Sequence, residues 1–320
     1  MNSKINVGIV GYGNLGKAVE HELLKNSNYN LVAIFSRRLI KSNFNTLVEP
    51  YENHINYIGK IDIILLCGGS ISDLEIQTPE IAKYFDTINT FDTHAKIKSQ
   101  LNILNKLTSK HKTRAIISCG WDPGIFSIIR GIMFAVSKTE PITFWGKGIS
   151  MGHSDALRRV DGVVDGVQFT IPNKDSIRLA KKGLLDDGTP LHTRDCYVVC
   201  NKNKEKQIEQ QIKEIPNYFF GQPTNVSFVS TKHLAKLKHK MQHKGEIISF
   251  FKTAKNNNCS MKFVAKMQSN PYFTAKIMIS YLNAIINLKN LGISGAFTPL
   301  DLPISFLFNS AQKDKLFALC

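Results

Sequence analysis

The stretch Lys4-Ile5-Asn6-Val7-Gly8-Ile9-Val10-Gly11-Tyr12-Gly13-Asn14-Leu15-Gly16 decides the fold. Its first seven residues form a short, largely β-branched run, and three glycines spaced G-x-G-x-x-G follow at once. Beyond them Leu15, Val19, Leu23 and Leu24 recur at helical spacing, so the glycines occupy a turn from strand to helix. In such a turn the first glycine permits the sharp bend, the second lets backbone approach a pyrophosphate, and the third lets helix pack on strand. The helix N-terminus adds free N–H groups and the positive end of the helix dipole. The segment predicts a dinucleotide-binding turn made by Gly11, Tyr12, Gly13, Asn14 and Leu15.

Outward from this turn, a second strand runs from Asn30 to Phe35 and ends in Ser36-Arg37-Arg38. An NAD site usually places an acid here, about 20 residues past the glycines, to bind the ribose 2′-hydroxyl. No acid is present. A hydroxyl and two guanidinium groups suit a 2′-phosphate instead, which predicts NADP as cofactor, with Ser36, Arg37 and Arg38 on its phosphate.

The alternation continues with strand Ile61 to Cys67, a helix at about Pro79 to Phe85, strand Thr87 to Phe91, helix Thr93 to Ser109 and strand Arg114 to Ser118. Helix and strand in turn argue an α/β fold with a doubly wound parallel sheet, whose ligands lie beyond the carboxyl ends of the strands. Three loops fall on that rim and are assigned to the cofactor: Cys67, Gly68, Gly69 and Ser70; Asp92, Thr93 and His94; and Trp121, Asp122, Pro123, Gly124 and Ile125. Trp121 is suited to cover a ring or an aliphatic chain. Singly, Asp92 and Asp122 read as well as helix caps or turn residues. Together at a switch point they are candidates for the chemistry.

After Pro141 the pattern changes. Gly152 to Arg159 reads as a Gly- and charge-rich loop, strands are expected at Gly166 to Ile171, Asp195 to Val199 and Thr224 to Val229, and a helix at Lys204 to Glu214. The chain of 320 residues is long enough for about two domains. The expected division is a Rossmann domain over 1–120 and a second, α+β domain over 121–294 with a mixed or antiparallel sheet, residues from about 295 to 320 being candidates to return to the first. Leu302 to Leu319 reads as a short helical tail.

Composition excludes several classes. The chain is 43% apolar and 21% charged, with 21 Gly and 11 Pro, the profile of an ordinary globular protein. No apolar run approaches the roughly 20 residues that span a bilayer, and glycines break the first one before a leader core forms, so a cytoplasmic protein without membrane contact is expected. Six cysteines without C-x-x-C or zinc-ribbon spacing suit reduced thiols, and Cys196 and Cys200 flank residues that read as buried strand, so no metal site is expected. Against 25 acidic residues stand 41 Lys and Arg, a net charge of +16. That favours anionic ligands. No helix-turn-helix or RRM pattern accompanies it, and nucleic acid is not an expected partner.

Several segments together resemble the meso-diaminopimelate D-dehydrogenases: Val10 to Gly16, Phe35 to Arg38, Gly120-Trp121-Asp122-Pro123-Gly124, Phe144-Trp145-Gly146, Gly152-His153-Ser154-Asp155-Ala156-Leu157-Arg158-Arg159, Asn270 to Ala275 and Ser294 to Thr298. They run through almost the whole chain in order, and the GHSDALRR segment is the most specific. The resemblance implies an NADP-dependent homodimer whose second domain binds substrate and dimerises. It implies reversible oxidative deamination of the D-centre of a diamino dicarboxylate, which in the reductive direction serves lysine and peptidoglycan synthesis. By motif it places Asp92, Trp121, Asp122 and Trp145 around the D-amino acid end, near Met151, Gly152 and Asp155, with Asp92 and Asp122 as the catalytic carboxylates that help the amino group lose a proton. It places Thr170, Arg194, His243 and Asn270 at the distal L-amino acid end. Met151 stands where Gln is common in the family, exchanging a hydrogen bond for a soft apolar contact, and Gly69 where a larger residue is common.

Read without the resemblance, Arg194 is a surface charge, Thr170 a strand residue, His243 part of the solvated stretch Lys232 to Lys244, and Asn270 a turn former before Pro271. Two other functions compete: an NADP-dependent dehydrogenase of broader D-amino acid range, and a non-catalytic NADP-binding regulator. The paired acids and the Arg194 and Asn270 matches count against a regulator. The positive charge beyond Arg37, Arg38 and Arg194 reads as a Lys-rich solvated surface, Lys232 to Lys255 above all.

Overall fold

A computed structural model describes residues 4–201, 203–238 and 242–318. Contacts divide the chain into two compact units, one running up to Ile128 and resuming at Pro271, the other Ile129–Asn270. The boundaries thus fall at 128/129 and 270/271, where the sequence placed them near 120/121 and 294/295.

The first unit is built on a seven-stranded sheet in the order Gly295–Phe297, Arg114–Ile116, Asp86–Asn89, Ile63–Leu66, Ile5–Val10, Tyr29–Ser36, Val48–Pro50. Every neighbouring pair is parallel. Ile63–Leu66 is buried at every position, as a central parallel strand covered on both faces must be. Two edge strands were not foreseen. Val48–Pro50 and Gly295–Phe297 have three residues each, too few for a period-two signal. The second of them brings the C-terminal segment onto Arg114–Ile116.

Helix Asn14–Leu24 buries Leu15, Val19 and Leu23 as expected, but Leu24 is half exposed, and Glu20 and Glu22 share the buried face in its place. The helix expected at Pro79 to Phe85 instead spans Glu75–Ile81, follows a wider turn over Ser70–Leu74, and carries Pro79 in its interior. Proline is a weak guide to a helix start when a preceding turn has already set the backbone. Phe35, Leu66, Leu74, Ile81, Phe85 and Phe91 pack in one core, and Leu104, Ala115, Ile117 and Ala296 in another. Each large side chain there contributes about 1.5 to 3 kcal/mol by burial. In place of one tail helix, short turns Pro299–Asp301 and Ile304–Leu307 precede helix Ser310–Phe317; Leu319 lies outside the described residues.

The second unit has two sheets. One is mixed, ordered Thr224–Phe228, His192–Cys200, Val163–Pro172, Gly148–Ser150, with only the first pair parallel; the other is antiparallel, ordered Asn257–Met267, His243–Ala254, Ile142–Trp145. The GHSDALRR segment is not a loop. Met151–Arg158 is a helix capped by Ser150, whose hydroxyl accepts from the His153 N–H. A serine directly before Met151 is a start signal that the glycine and the charges concealed. The stretch Lys232 to Lys255 is likewise not one solvated surface: Thr231–Lys238 is a helix, and strand His243–Ala254 buries Ile247, Ile248 and Phe251. His239, Lys240 and Met241 lie outside the described residues.

The five described cysteines are free thiols, and Cys196 and Cys200 share one strand; Cys320 lies outside the described residues. Among the described residues no helix is long and apolar enough to cross a membrane.

Candidate active site

Parallel strands bring their carboxyl ends to one rim of the first unit, and the fingerprint turn meets its neighbour there. Gly11 has φ +88°, and a Cβ on it would stand 3.3 Å from the backbone of Cys67 and Gly68. A Cβ on Gly16 would lie 2.2 Å from the Gly11 carbonyl oxygen. Both glycines are therefore demanded by the chain itself. Gly13 is different: its backbone is extended, and a Cβ on it would meet nothing within 4 Å. Its missing side chain leaves open the approach to a helix N-terminus that no side chain caps, as a pyrophosphate requires. The turn fits a dinucleotide. Tyr12 is pinned beside it, its hydroxyl donating to the fully buried Glu20 and accepting from the Asn43 N–H at 2.8 Å. Ser42 also donates to Glu20, which ties the loop beyond Arg38 to the fingerprint helix.

Ser36 ends its strand, its hydroxyl bonded to the Arg38 backbone in both directions. Arg37 and Arg38 are exposed. Arg37 pairs with Asp73, whose other carboxylate oxygen accepts from the Gly69 N–H at 3.0 Å. The arginine expected at a 2′-phosphate is thus tied to the Cys67 to Ser70 loop through an acid the sequence reading left out. Ser70 accepts from the Asp92 N–H at 2.9 Å, joining the first and second rim loops. Thr93 and His94 lead into a short turn before helix Ile97–His111. Asp92 is exposed at the rim; desolvation by the surrounding protein still raises its pKa above the ordinary carboxylate value, while Ser70 and His94 pull the other way.

Gly120 to Gly124 closes on itself, the Gly120 N–H donating to the Pro123 carbonyl at 2.9 Å. Trp121 is buried edge-on against Phe126 at 5.0 Å between ring centres. Ile125 begins helix Ile125–Ser137. Asp122 lies between these anchors, partly buried.

In the second unit a strand pairing sets Arg194 opposite Thr170. The guanidinium donates to the buried Thr170 hydroxyl at 2.9 Å, and Gln168 donates to the same oxygen at 3.2 Å. Arg194 Nε is buried without a hydrogen-bond partner among the described residues. Burial lowers the arginine's pKa, and burying a guanidinium N–H unpaired is costly unless an acceptor arrives. His243, expected alternatively in a solvated stretch, is 4% exposed. A Cβ on Gly148 would fall 2.5 Å from its ring. His192, which the sequence reading passed over, accepts from the Trp145 N–H at 2.7 Å. Burial first, then Arg194 and His243, push its pKa down to about 3; burial and Arg194 do the same to His153.

Residues 120–269 match the family model for the diaminopimelic acid dehydrogenase C-terminal domain. Over 316 residues, 95% of this chain and 94% of the other, the sequence is 40% identical to the meso-diaminopimelate D-dehydrogenase of Acetivibrio thermocellus. The chain belongs to the meso-diaminopimelate D-dehydrogenase family. Its fold is that of the C. glutamicum diaminopimelate dehydrogenase solved in complex with diaminopimelate, with a TM-score of 0.93 at 36% identity over 98% of each chain. An engineered D-amino acid dehydrogenase bound to NADP+ gives a TM-score of 0.92 at 35% identity over 99% of each chain. Family membership makes the chain a pyridine-nucleotide oxidoreductase acting on a small molecule.

Within this family's most specific segment, the side chains divide their tasks. His153 sits edge-on to Tyr218 and Phe219 and meets the Ser150 hydroxyl at 2.8 Å; Ser154 donates to the Ser150 carbonyl and accepts from the Gln168 N–H. These bonds anchor the helix whose first residues are Met151 and Gly152. Asp155 turns along the same helix to pair with Arg158 and Arg159. Asn270 is buried at the start of helix Asn270–Asn290, not in an isolated turn, Pro271 being tolerated in a first helical turn. His192 had one readable signal: in an alternating strand it lies on the same face as Arg194.

Proposed function

We propose that the protein catalyses the NADP-dependent oxidative deamination of the D-centre of meso-2,6-diaminopimelate, in which the hydride passes to NADP+ and water hydrolyses the resulting imine to give L-2-amino-6-oxopimelate, ammonia and NADPH, and runs in reverse to make the diamino acid. The observation that carries the substrate assignment is Arg194, a half-buried cation fixed by Thr170 with its buried Nε–H left unpaired among the described residues, in a chain of this family. A distal carboxylate satisfies that donor. Asn270, also buried, offers a carbonyl to the distal ammonium.

At the reacting end, Asp92 and Asp122 bind the D-ammonium and take its proton, since only the neutral amine can push its lone pair toward the carbon that is oxidised. The raised pKa of Asp92 makes its carboxylate a better proton acceptor than an ordinary aspartate. Trp121 and Trp145 cover the aliphatic part, and Met151 gives an apolar contact. The fingerprint turn, Ser36, Arg37, Arg38 and the rim loops hold the dinucleotide, which when bound supplies the hydride acceptor. A homodimer working in the cytoplasm is part of this reading.

The test follows NADPH formation with meso-diaminopimelate, its LL-isomer and D-alanine separately, with NAD+ as the competing cofactor. Activity confined to the meso isomer with NADP+ is expected. Activity on D-alanine alone refutes the substrate, and equal use of NAD+ refutes the cofactor assignment. Arg37→Ala and Arg38→Ala each weaken NADPH by about 10- to 100-fold, from roughly 1.5 to 3 kcal/mol per charge-assisted bond, and leave NADH unchanged.

A further inference from the structure

We propose that His192 is a positioning residue that holds Trp145 in place beside Arg194, an inference that rests on the substrate site read above. His192 opens the strand His192–Cys200 of the mixed sheet, while Trp145 ends the strand Ile142–Trp145 of the other sheet. The bond from the Trp145 N–H to His192 Nε2, 2.7 Å long, therefore crosses from one sheet to the other. The two rings also lie against each other, 5.2 Å between centres and 31° apart, and Phe144 closes a further side at 6.1 Å. Two residues along the same strand, on the same face, stands Arg194. One side chain thus sets the place of the indole assigned to the reacting end relative to the arginine assigned to the distal carboxylate.

The acceptor role requires an unprotonated Nε2, because a protonated ring presents N–H to N–H. The setting provides it: His192 is 4% exposed and has two other basic groups, Arg194 and His243, close enough to oppose a second charge. His192 carries no substrate contact in this reading and acts through Trp145, so its loss misplaces the reacting end without removing a binding group. Misplacement of about 1 Å is enough to cost on the order of a hundredfold in rate.

Two amide substitutions separate this role from general packing. Gln places its carbonyl oxygen about as far along the side chain as Nε2, whereas Asn reaches only as far as Nδ1. In meso-diaminopimelate oxidation His192→Gln keeps kcat within about threefold of the wild type, while His192→Asn lowers it tenfold to a hundredfold, on the order expected for a misplaced reacting group. KM for NADP+ stays within about twofold in both, since no cofactor group is touched. His192→Phe, which fills the space without an acceptor, behaves as Asn does and replaces it if the Asn variant fails to fold by circular dichroism. Equal kcat in the Gln variant and the acceptor-less variant overturns the proposal. A second readout needs no substrate: with Trp121→Phe in the background, Trp145 emission shifts to longer wavelength in the Asn or Phe variant and not in the Gln variant. Unshifted emission overturns the positioning role, whereas a silent wild type with a shifted Asn variant refutes only the assigned reaction.

Discussion

Lowering the pH from 7.5 to 5 should destabilise the second unit through its buried histidines, and His192 isolates the effect. Its folded pKa lies near 3 against an unfolded value of about 6.5. A depressed folded value means the neutral ring is the native form, so its contribution is complete above about pH 6.5 and is lost as pH falls toward 3. At pH 5 the unfolded ring is almost fully protonated and the folded ring almost not at all, which works out to about 2 kcal/mol of lost stability. His153, with the same depressed value, adds a similar amount. Equilibrium urea unfolding of the wild type and His192→Gln at both pH values measures the difference. The Gln variant should lose about 2 kcal/mol less than the wild type over this range, every other titrating group being shared. Arg194→Met should shrink the wild-type loss as well, because that guanidinium is one of the charges opposing protonation. Equal losses in wild type and His192→Gln, within about 0.5 kcal/mol, would refute a ring held neutral by its burial.

The fingerprint glycines should separate stability from binding. Gly16→Ala drives a methyl to 2.2 Å from the Gly11 carbonyl and should cost about 1 to 3 kcal/mol in thermal or urea unfolding. Gly13→Ala meets nothing in the chain; its stability should change by under about 1 kcal/mol while dinucleotide affinity in a fluorescence titration falls at least tenfold. Arg194→Met should raise KM for meso-diaminopimelate on the order of a hundredfold, leaving KM for NADP+ unchanged in steady-state assays. With a net charge of +16, the association rate for NADPH should fall steeply between low and high salt in stopped-flow traces while turnover changes little.

Much of the first unit was legible because its strands are continuous apolar runs between glycine-rich turns. Ile63–Leu66 has no polar residue to confuse the signal, and Gly11 to Gly16 carries its function in spacing alone. Two misreadings in the second unit share a cause: charge and glycine read as solvent exposure. The helix Met151–Arg158 carries Asp155 and Arg158, with the capping Arg159 just beyond, on one side and buries Ser154, Ala156 and Leu157 on the other, a division that residue counts do not show. Lys232 to Lys255 hides the apolar run Ile247 to Phe251 among its lysines in the same way.

The amino-acid sequence by itself determined the dinucleotide turn, the absence of an acid after the second strand, the parallel alternation and the segments that mark the family. All are local, set by backbone demands and side-chain periods within a few residues. Tertiary structure alone decided which of the singled-out polar groups meet. Arg37 finds Asp73 across 36 positions, Arg194 finds Thr170 across 24, and Trp145 finds His192 across 47. No sequence period connects such pairs, because sheet order and register decide them. That is why Arg194 reads as a surface charge along the chain and becomes, in the fold, a half-buried cation whose buried Nε–H is still unpaired among the described residues.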